Sequence, residues 1–239
     1  VEDCALCMEF LSDFDPKDST SANILKEDYS SELHAKLKGK RIGIPKEYFD
    51  ENLDSEIGRC LSEAKDIFSK LGCALVDIEL PSTEMAVASY YIIAPAECSS
   101  NLARFDGVKY GFRSINSNDI DSLYKNTRNE GFGTEVKRRI LVGTYALSSG
   151  YYDKYYEQAQ RVRSIIKNDF EQAFKKVDVI LGPTTPSTAF PLKNEARSDP
   201  TELYSNDLYT IPVNLAGLPA ISIPAGFSKK ELPIGMQLI

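Results

Sequence analysis

The order of apolar and polar positions predicts alternating strands and helices. Between residues 54 and 71, apolar side chains recur every 3.6 residues, which indicates an amphipathic helix. Short apolar runs at 40–49, ended as a strand by Pro45, and at 74–80, after Gly72, predict a strand on either side. Strand, helix and strand joined by short links make a βαβ unit. The apolar positions of the helix are Ile57, Cys60, Leu61, Ala64, Ile67, Phe68 and Leu71.

The remaining pattern extends this alternation. A polar connector is expected at 15–23, and a loop-rich stretch is expected before residue 218. Continuous apolar runs predict three further buried strands, and such strands between helices favour a parallel or mixed sheet in an α/β fold. These strands are expected at 177–183, 218–226 and 232–239, and further helices at 1–12, 82–104 with a kink or break at Pro95, 119–129, 134–147 and 152–176.

Size and charge exclude several classes of protein. The chain has 239 residues, of which 42% are hydrophobic, enough for a substantial core. A net charge of −7 argues against a dedicated nucleic-acid binder, and no apolar run approaches the 18 residues of a membrane helix. Residues 101–176 carry an excess of basic groups. Mixed charge on surface helices is the favoured explanation, and an anionic partner is the alternative.

The cysteines and the single histidine do not indicate a metal site. Cys4 and Cys7 form a C-x-x-C pair, but the second pair that a zinc site usually needs is missing. Their spacing puts both on one apolar face of the predicted helix, so we expect them to be small buried side chains. His34 lies in a polar stretch and is expected to be exposed to solvent.

No catalytic motif stands out from the residues alone. The sequence GFG at 131–133 is too short for a phosphate loop and predicts a turn before a helix. Ser148 and Ser149 precede Gly150, which is typical of a helix C-terminus rather than a nucleophile elbow. The basic run at 137–139 is either a phosphate patch or supplies one Arg for a carboxylate. The tyrosines at 151–156 are expected to pack at the core and its rim.

Longer motifs carry a family resemblance. They are RFDGVKYG (104–111), NEGFGTEVKRRILVGTYALSSGYYDKYY (129–156), GPTTPSTAF (182–190), NDLYTIPVNLAGLPAISIPAGF (206–227) and PIGMQLI (233–239). In this order, and over residues 1–239, the chain resembles the A subunits of tRNA-dependent amidotransferases in the amidase signature family. The resemblance implies an α/β fold with a mixed central sheet covered by helices on both faces.

The resemblance also implies what this chain does not supply. The family uses a Lys and two Ser residues in a Gly/Ser-rich signature, and this sequence contains no such run. We therefore expect no catalytic residue here, and expect a hydrolytically inactive piece. Residues 1–239 are expected to form one domain, the C-terminal part of an amidase signature domain. Because Val1 and Ile239 lie within helix-like and strand-like sequence, we expect that domain to be truncated at both ends.

The resemblance places substrate-binding roles on three residues. Free glutamine is a zwitterion, whose α-carboxylate suits a bidentate Arg and whose α-ammonium suits a carboxylate. Matched to the family, these fall on Arg139 and Asp207, with a ligand-contacting tyrosine at Tyr90. The neighbouring Tyr91 and Arg138 are alternatives one position away.

Glutamine hydrolysis is the implied activity. Ammonia released through an acyl-enzyme would pass to the B subunit of the family's complexes, which uses ATP and Mg²⁺ to amidate misacylated Glu-tRNA(Gln) or Asp-tRNA(Asn). A small C subunit would complete a heterotrimer, and this chain would bind no cofactor and no membrane. A bacterial-type cytoplasmic location is implied, and an organellar one is left open. A free-standing amidase and a non-catalytic scaffold remain alternatives. Pro95 and Cys98 depart from the family pattern, and a shifted helix there would move Tyr90.

Overall fold

A computed structural model describes residues 1–49, 53–191 and 205–239. Within these ranges it contains five strands and seven α-helices, joined by short 3₁₀ turns and one π turn. The strands are β1 (Arg41–Pro45), β2 (Ala74–Ile78), β3 (Val179–Pro183), β4 (Ile221–Phe227) and β5 (Pro233–Leu238). The helices are α1 (Glu2–Leu11), α2 (Ser55–Lys70), α3 (Ala86–Leu102), α4 (Ile120–Gly131), α5 (Thr134–Ala146), α6 (Gln158–Phe174) and α7 (Ile211–Ala216).

The five strands form one mixed sheet in the order β2-β1-β3-β5-β4. β1 is parallel to both β2 and β3, whereas β5 is antiparallel to both β3 and β4. The predicted βαβ unit is confirmed, because β1 and β2 pair in parallel from Arg41↔Ala74 to Pro45↔Ile78, with α2 between them in sequence.

Helices cover both faces of the sheet. Successive residues of β3 point to opposite sides, as the strand pleat requires: Ile180 packs with α3, α6 and α7, and Leu181 packs with α2. The α2 side includes Ile57 and Leu61, and the opposite side includes Phe170. The α/β class and the mixed sheet between two helical layers are therefore confirmed.

The helix containing Pro95 begins later than predicted and is continuous rather than broken. It is preceded by a 3₁₀ turn at Pro81–Met85 and continues through Pro95 to Leu102, so no break occurs. Pro95 is buried, and its carbonyl oxygen lies against Gly143 of α5, where an ideal Cβ would be 1.9 Å away. Tertiary packing against α5 thus holds a helix that proline alone would interrupt.

Three other predictions are wrong. Cys4 and Cys7 are exposed, because α1 buries no side chain; Cys60 and Cys73 are buried. β4 lies at the edge of the sheet and contains no fully buried residue. The six-residue helix α7 stands where the loop-rich stretch was expected, and another part of that stretch, 192–204, lies outside the described residues.

The surface of the protein agrees with one prediction and differs from another. His34 is exposed as predicted. The tyrosines at 151–156 lie at the surface rather than in the core: Tyr151 packs on Tyr145 at 4.4 Å between ring centroids, and Tyr155 is 41% exposed. No helix in the described ranges is both long enough and apolar enough to cross a membrane. Nor do the described residues include a group of three or more His, Cys, Asp or Glu side chains placed to hold a metal ion.

Candidate substrate-binding site

Close packing of α3 on α5 positions the first half of the site. Gly143 lets the α5 backbone reach the Pro95 carbonyl, since any larger side chain would occupy that space. One turn before each contact residue lie Arg139 on α5 and Tyr91 on α3, and Tyr90 is adjacent. The contact between two helix backbones therefore sets the spacing between the candidate arginine and the candidate tyrosine.

Arg139 is partly buried beside Tyr90. Its side chain is 38% exposed, and its Nε donates to Oε1 of Glu135 at 3.2 Å, four residues before it on the same helix. Partial burial lowers the pKa of the Arg139 guanidinium. The hydrogen bond to Glu135 and the interaction with the Tyr90 hydroxyl outweigh this effect, so the pKa is raised overall. Arg139 is thus a fixed cation at this position.

Asp207 contacts Tyr91, the neighbour of Tyr90 on α3. The hydroxyl of Tyr91 donates to Oδ2 of Asp207 at 3.3 Å, and the rings of Tyr90 and Tyr91 meet edge to face with centroids 5.1 Å apart. Tyr90 therefore neighbours the candidate cation, and Tyr91 contacts the candidate carboxylate. The structure brings all three predicted site residues into one neighbourhood, and their roles in binding stay predictions.

The alternative arginine has a different environment. Arg138 pairs with Oε2 of Glu135 at 2.5 Å, and its side chain is 55% exposed. The Tyr90 hydroxyl interacts with Arg139, which is the less exposed of the two arginines. Both adjacent tyrosines belong to the site, because Tyr91 contacts Asp207 and Tyr90 flanks Arg139. The geometry therefore favours Arg139 over Arg138 and involves both tyrosines.

Buried contacts fix the segment that carries Asp207. Tyr209 is 1% exposed and packs edge-on against Tyr48, with ring centroids 5.2 Å apart. The buried amide of Gln237, on β5, donates through Nε2 to the carbonyl oxygens of Tyr209 at 2.8 Å and of Pro183 at 3.0 Å. A side chain of the sheet thus connects the Asp207 segment to the end of β3.

A small cavity of about 160 Å³ opens between α3 and α5. It holds two cationic side chains and one carboxylate beside apolar walls, so it suits a small charged ligand. Its lining, over the part of the chain that the structure describes, contains no serine, cysteine, lysine or histidine that could act as a nucleophile or base. The lining residues are Tyr91, Pro95, Glu135, Arg138, Arg139 and Val142.

A second cavity of about 340 Å³ joins two of the motifs that carry the family resemblance. Thr184, from the motif at 182–190, lies 2.8 Å from Ser222 of the motif at 206–227, measured between their hydroxyl oxygens. Gln237 also lines this cavity. The second cavity therefore adjoins the side chain that anchors the Asp207 segment.

Comparison with known proteins assigns the chain to a family. The amidase family model matches residues 1–239, so the chain belongs to the amidase family. It is 56% identical over all 239 residues to the glutamyl-tRNA(Gln) amidotransferase A subunit of Thioalkalivibrio sulfidiphilus and covers 49% of that relative. The chain thus spans about half the length of the curated relatives it matches.

Solved structures agree with this assignment. The crystal structure of the glutamyl-tRNA(Gln) amidotransferase A subunit from Thermotoga maritima matches with a TM-score of 0.74 and 38% identity, over 100% of this chain and 46% of that one. A bacterial aryl acylamidase of the amidase signature family matches at a TM-score of 0.71 over 100% of this chain and 47% of that one. Its 21% identity shows the fold alone. The predicted family and fold are therefore confirmed.

Sequence reasoning missed two residues of this site, Glu135 and Gln237, and named a third, Tyr91, only as an alternative. Glu135 pairs with both arginines, but a Glu three or four residues before an Arg is common on exposed helices and gave no distinct signal. Tyr91 was considered only as an alternative to Tyr90. Gln237 lies in an apolar strand pattern, where the one signal was a lone polar residue flanked by apolar positions.

Proposed function

We propose that the protein carrying this chain is the glutamine-hydrolysing subunit of a tRNA-dependent amidotransferase, and that this chain holds the substrate. The observation that carries the proposal is the placement of Arg139 beside Tyr90 and of Asp207 beside Tyr91. A cation and a carboxylate in one site match the two charged groups of a free amino acid. The relatives named as glutamyl-tRNA(Gln) amidotransferase A subunits support an amidotransferase role for the protein.

In this proposal four side chains position the glutamine substrate. The guanidinium of Arg139 binds the α-carboxylate of glutamine, Asp207 accepts hydrogen bonds from the α-ammonium, and Tyr90 contacts the ligand. Tyr91 holds Asp207 in place through the 3.3 Å hydrogen bond. These contacts leave the side-chain amide of glutamine as the group presented for reaction.

The chemical step would use residues that this sequence does not supply. A serine oxygen would attack the side-chain amide carbon, the hydroxyl proton would pass to the amide nitrogen, and the carbon–nitrogen bond would break to release ammonia. Water then hydrolyses the acyl ester and releases glutamate. On this proposal the present chain alone binds glutamine without hydrolysing it and contributes no catalytic residue.

The ammonia would be consumed by a partner in the cytoplasm. We propose a heterotrimer in which the B subunit uses ATP and Mg²⁺ to amidate misacylated Glu-tRNA(Gln) or Asp-tRNA(Asn), and a C subunit completes the assembly. The names of the relatives support a tRNA-linked amidotransferase role. This chain would hold neither the nucleotide nor the metal.

Ammonia release by the full-length protein, with its partner subunits, tests the proposal. Glutamine, acetamide and an aryl acylamide would be compared as substrates, with glutamate as a competing ligand. We expect glutamine to be hydrolysed with the highest kcat/KM, because only it offers both charged groups to Arg139 and Asp207. A free-standing amidase would prefer an uncharged amide, and a non-catalytic scaffold would release no ammonia from any of them.

A further inference from the structure

Glu135 is the one carboxylate among the described residues that line the cavity between α3 and α5. Its two oxygens are divided between neighbours: Oε2 lies 2.5 Å from Arg138, and Oε1 lies 3.2 Å from Arg139. It is the second residue of α5, where the helix dipole favours a negative charge. One carboxylate thus faces two guanidinium groups at the edge of the proposed substrate site.

Among the described residues that line the cavity or bond to its lining, positive and negative charges balance only when Glu135 is included. Arg138 and Arg139 are two positive charges, and Glu135 and Asp207, the latter bonded to the cavity residue Tyr91, are two negative ones. Glutamine is a zwitterion with no net charge, whereas glutamate, the product of its hydrolysis, carries one negative charge. A site with an excess positive charge would attract glutamate more strongly than glutamine.

We propose that Glu135 is a specificity-determining residue that cancels one arginine charge and so limits binding of glutamate relative to glutamine. The inference rests on the proposed function, since it concerns the substrate and product of that reaction. Arg139 remains available to a ligand carboxylate because a guanidinium has five N–H donors, and Glu135 is bonded to its Nε.

The expected size of the effect follows from Coulomb's law. At roughly 7 Å from the ligand, in a half-exposed site with an effective dielectric constant of roughly 60, one unit charge changes affinity by a factor of about four. Salt at roughly 1 M screens charges beyond roughly 3 Å, so most of this factor should disappear there. A loss of packing or of Arg139 orientation would instead weaken both ligands and would not depend on salt in this way.

The chain offers a matched control on the other side of the sheet. Arg59 and Glu63 form an ion pair at 2.7 Å with the same four-residue spacing, on α2, and Glu63 is similarly exposed. Glu63→Gln removes the same charge from the protein as Glu135→Gln but acts far from the cavity. Glu135→Asp keeps the charge and shortens the side chain.

The test measures the KM for glutamine and the competitive inhibition constant of glutamate in the full-length protein. We expect Glu135→Gln to tighten glutamate inhibition relative to the glutamine KM about fourfold at low salt, and much less in roughly 1 M KCl. Glu63→Gln and Glu135→Asp should keep the wild-type ratio. If Glu135→Gln keeps the wild-type ratio, or if the KM for glutamine and the inhibition constant of glutamate change by the same factor, this inference alone is overturned. A wild-type protein that does not use glutamine overturns the proposed function, and this inference with it.

Discussion

The contact between α3 and α5 predicts that Gly143→Ala will destabilise the protein. A Cβ at this position would lie 1.9 Å from the Pro95 carbonyl oxygen, 2.4 Å from its carbon and 2.8 Å from the Ala96 nitrogen. All three are backbone atoms, so no side-chain rotation relieves the clash. Because real Cβ contacts essentially never fall under 3.0 Å, α5 must withdraw from α3 by about 1 Å.

Two opposing effects determine how much Gly143→Ala changes the free energy of unfolding. Alanine is a better helix former than glycine by about 1 kcal/mol. Overpacking a close contact costs about 1–3 kcal/mol, and a backbone obstacle lies at the upper end of that range. We therefore expect Gly143→Ala to lower the free energy of unfolding by about 2 kcal/mol. The same shift would move Arg139, one turn away, from Tyr90, so the KM for glutamine should rise.

Gly58→Ala is the matched control for this prediction. Gly58 also lies within a helix, α2, but the nearest atom to its Cβ would be Leu53 Cδ2 at 3.9 Å, an ordinary contact. Helix propensity should act alone there and raise stability by about 0.5–1 kcal/mol. Urea unfolding of both variants in the full-length protein measures the difference. A Gly143→Ala protein as stable as the wild type would refute the close contact.

Two further changes test the sheet and the segment beside the site. Gln237→Leu should lower the free energy of unfolding by about 2–4 kcal/mol, because the buried carbonyls of Pro183 and Tyr209 lose their donor; an unchanged urea midpoint would contradict this. Side-chain and backbone hydrogen bonds from Arg41 lower the pKa of Asp178 to about 2, against about 3.9 when unfolded. This stabilisation is complete above the unfolded pKa and is lost as the pH falls towards 2. Asp178→Asn should therefore lower the thermal midpoint at pH 7 and much less at pH 2, whereas an equal loss at both would argue against the ion pair.

Local periodicity was enough to predict most of the fold. The 3.6-residue pattern of α2 and the apolar runs on either side of it predicted the observed βαβ unit. This worked because each of the three elements can be recognised from its own residues. Whether a whole element is buried could not be predicted in this way, because burial depends on neighbours that are distant in the sequence. Cys4 and Cys7 lie on an apolar face that nothing in the described chain covers, and β4 is apolar although it lies at a sheet edge. The helix α7 escaped prediction because six residues with a proline in the first turn give no clear period.

The candidate site depended on the resemblance rather than on pattern. Nothing in the spacing of Arg139 and Asp207 indicates that two tyrosines of α3 connect them, since the Tyr91–Asp207 contact spans 116 residues. From the sequence, Glu135 was recognisable only as a member of an ordinary helix ion pair. Its pairing with Arg138 matters for the site because both residues line the same cavity. Long-range packing, above all the Gly143–Pro95 approach, supplies what the sequence could not.

The most direct test of the substrate-binding claim compares the two adjacent arginines. Arg139→Ala and Arg138→Ala remove the same charge from neighbouring positions of α5, and Glu135 contacts both residues. Loss of a charge-assisted contact to the ligand carboxylate costs about 2 kcal/mol or more, a rise in the KM for glutamine of about 30-fold. In the full-length protein we expect this rise for Arg139→Ala and a rise of less than about fivefold for Arg138→Ala. Equal, small changes in both variants would contradict the account.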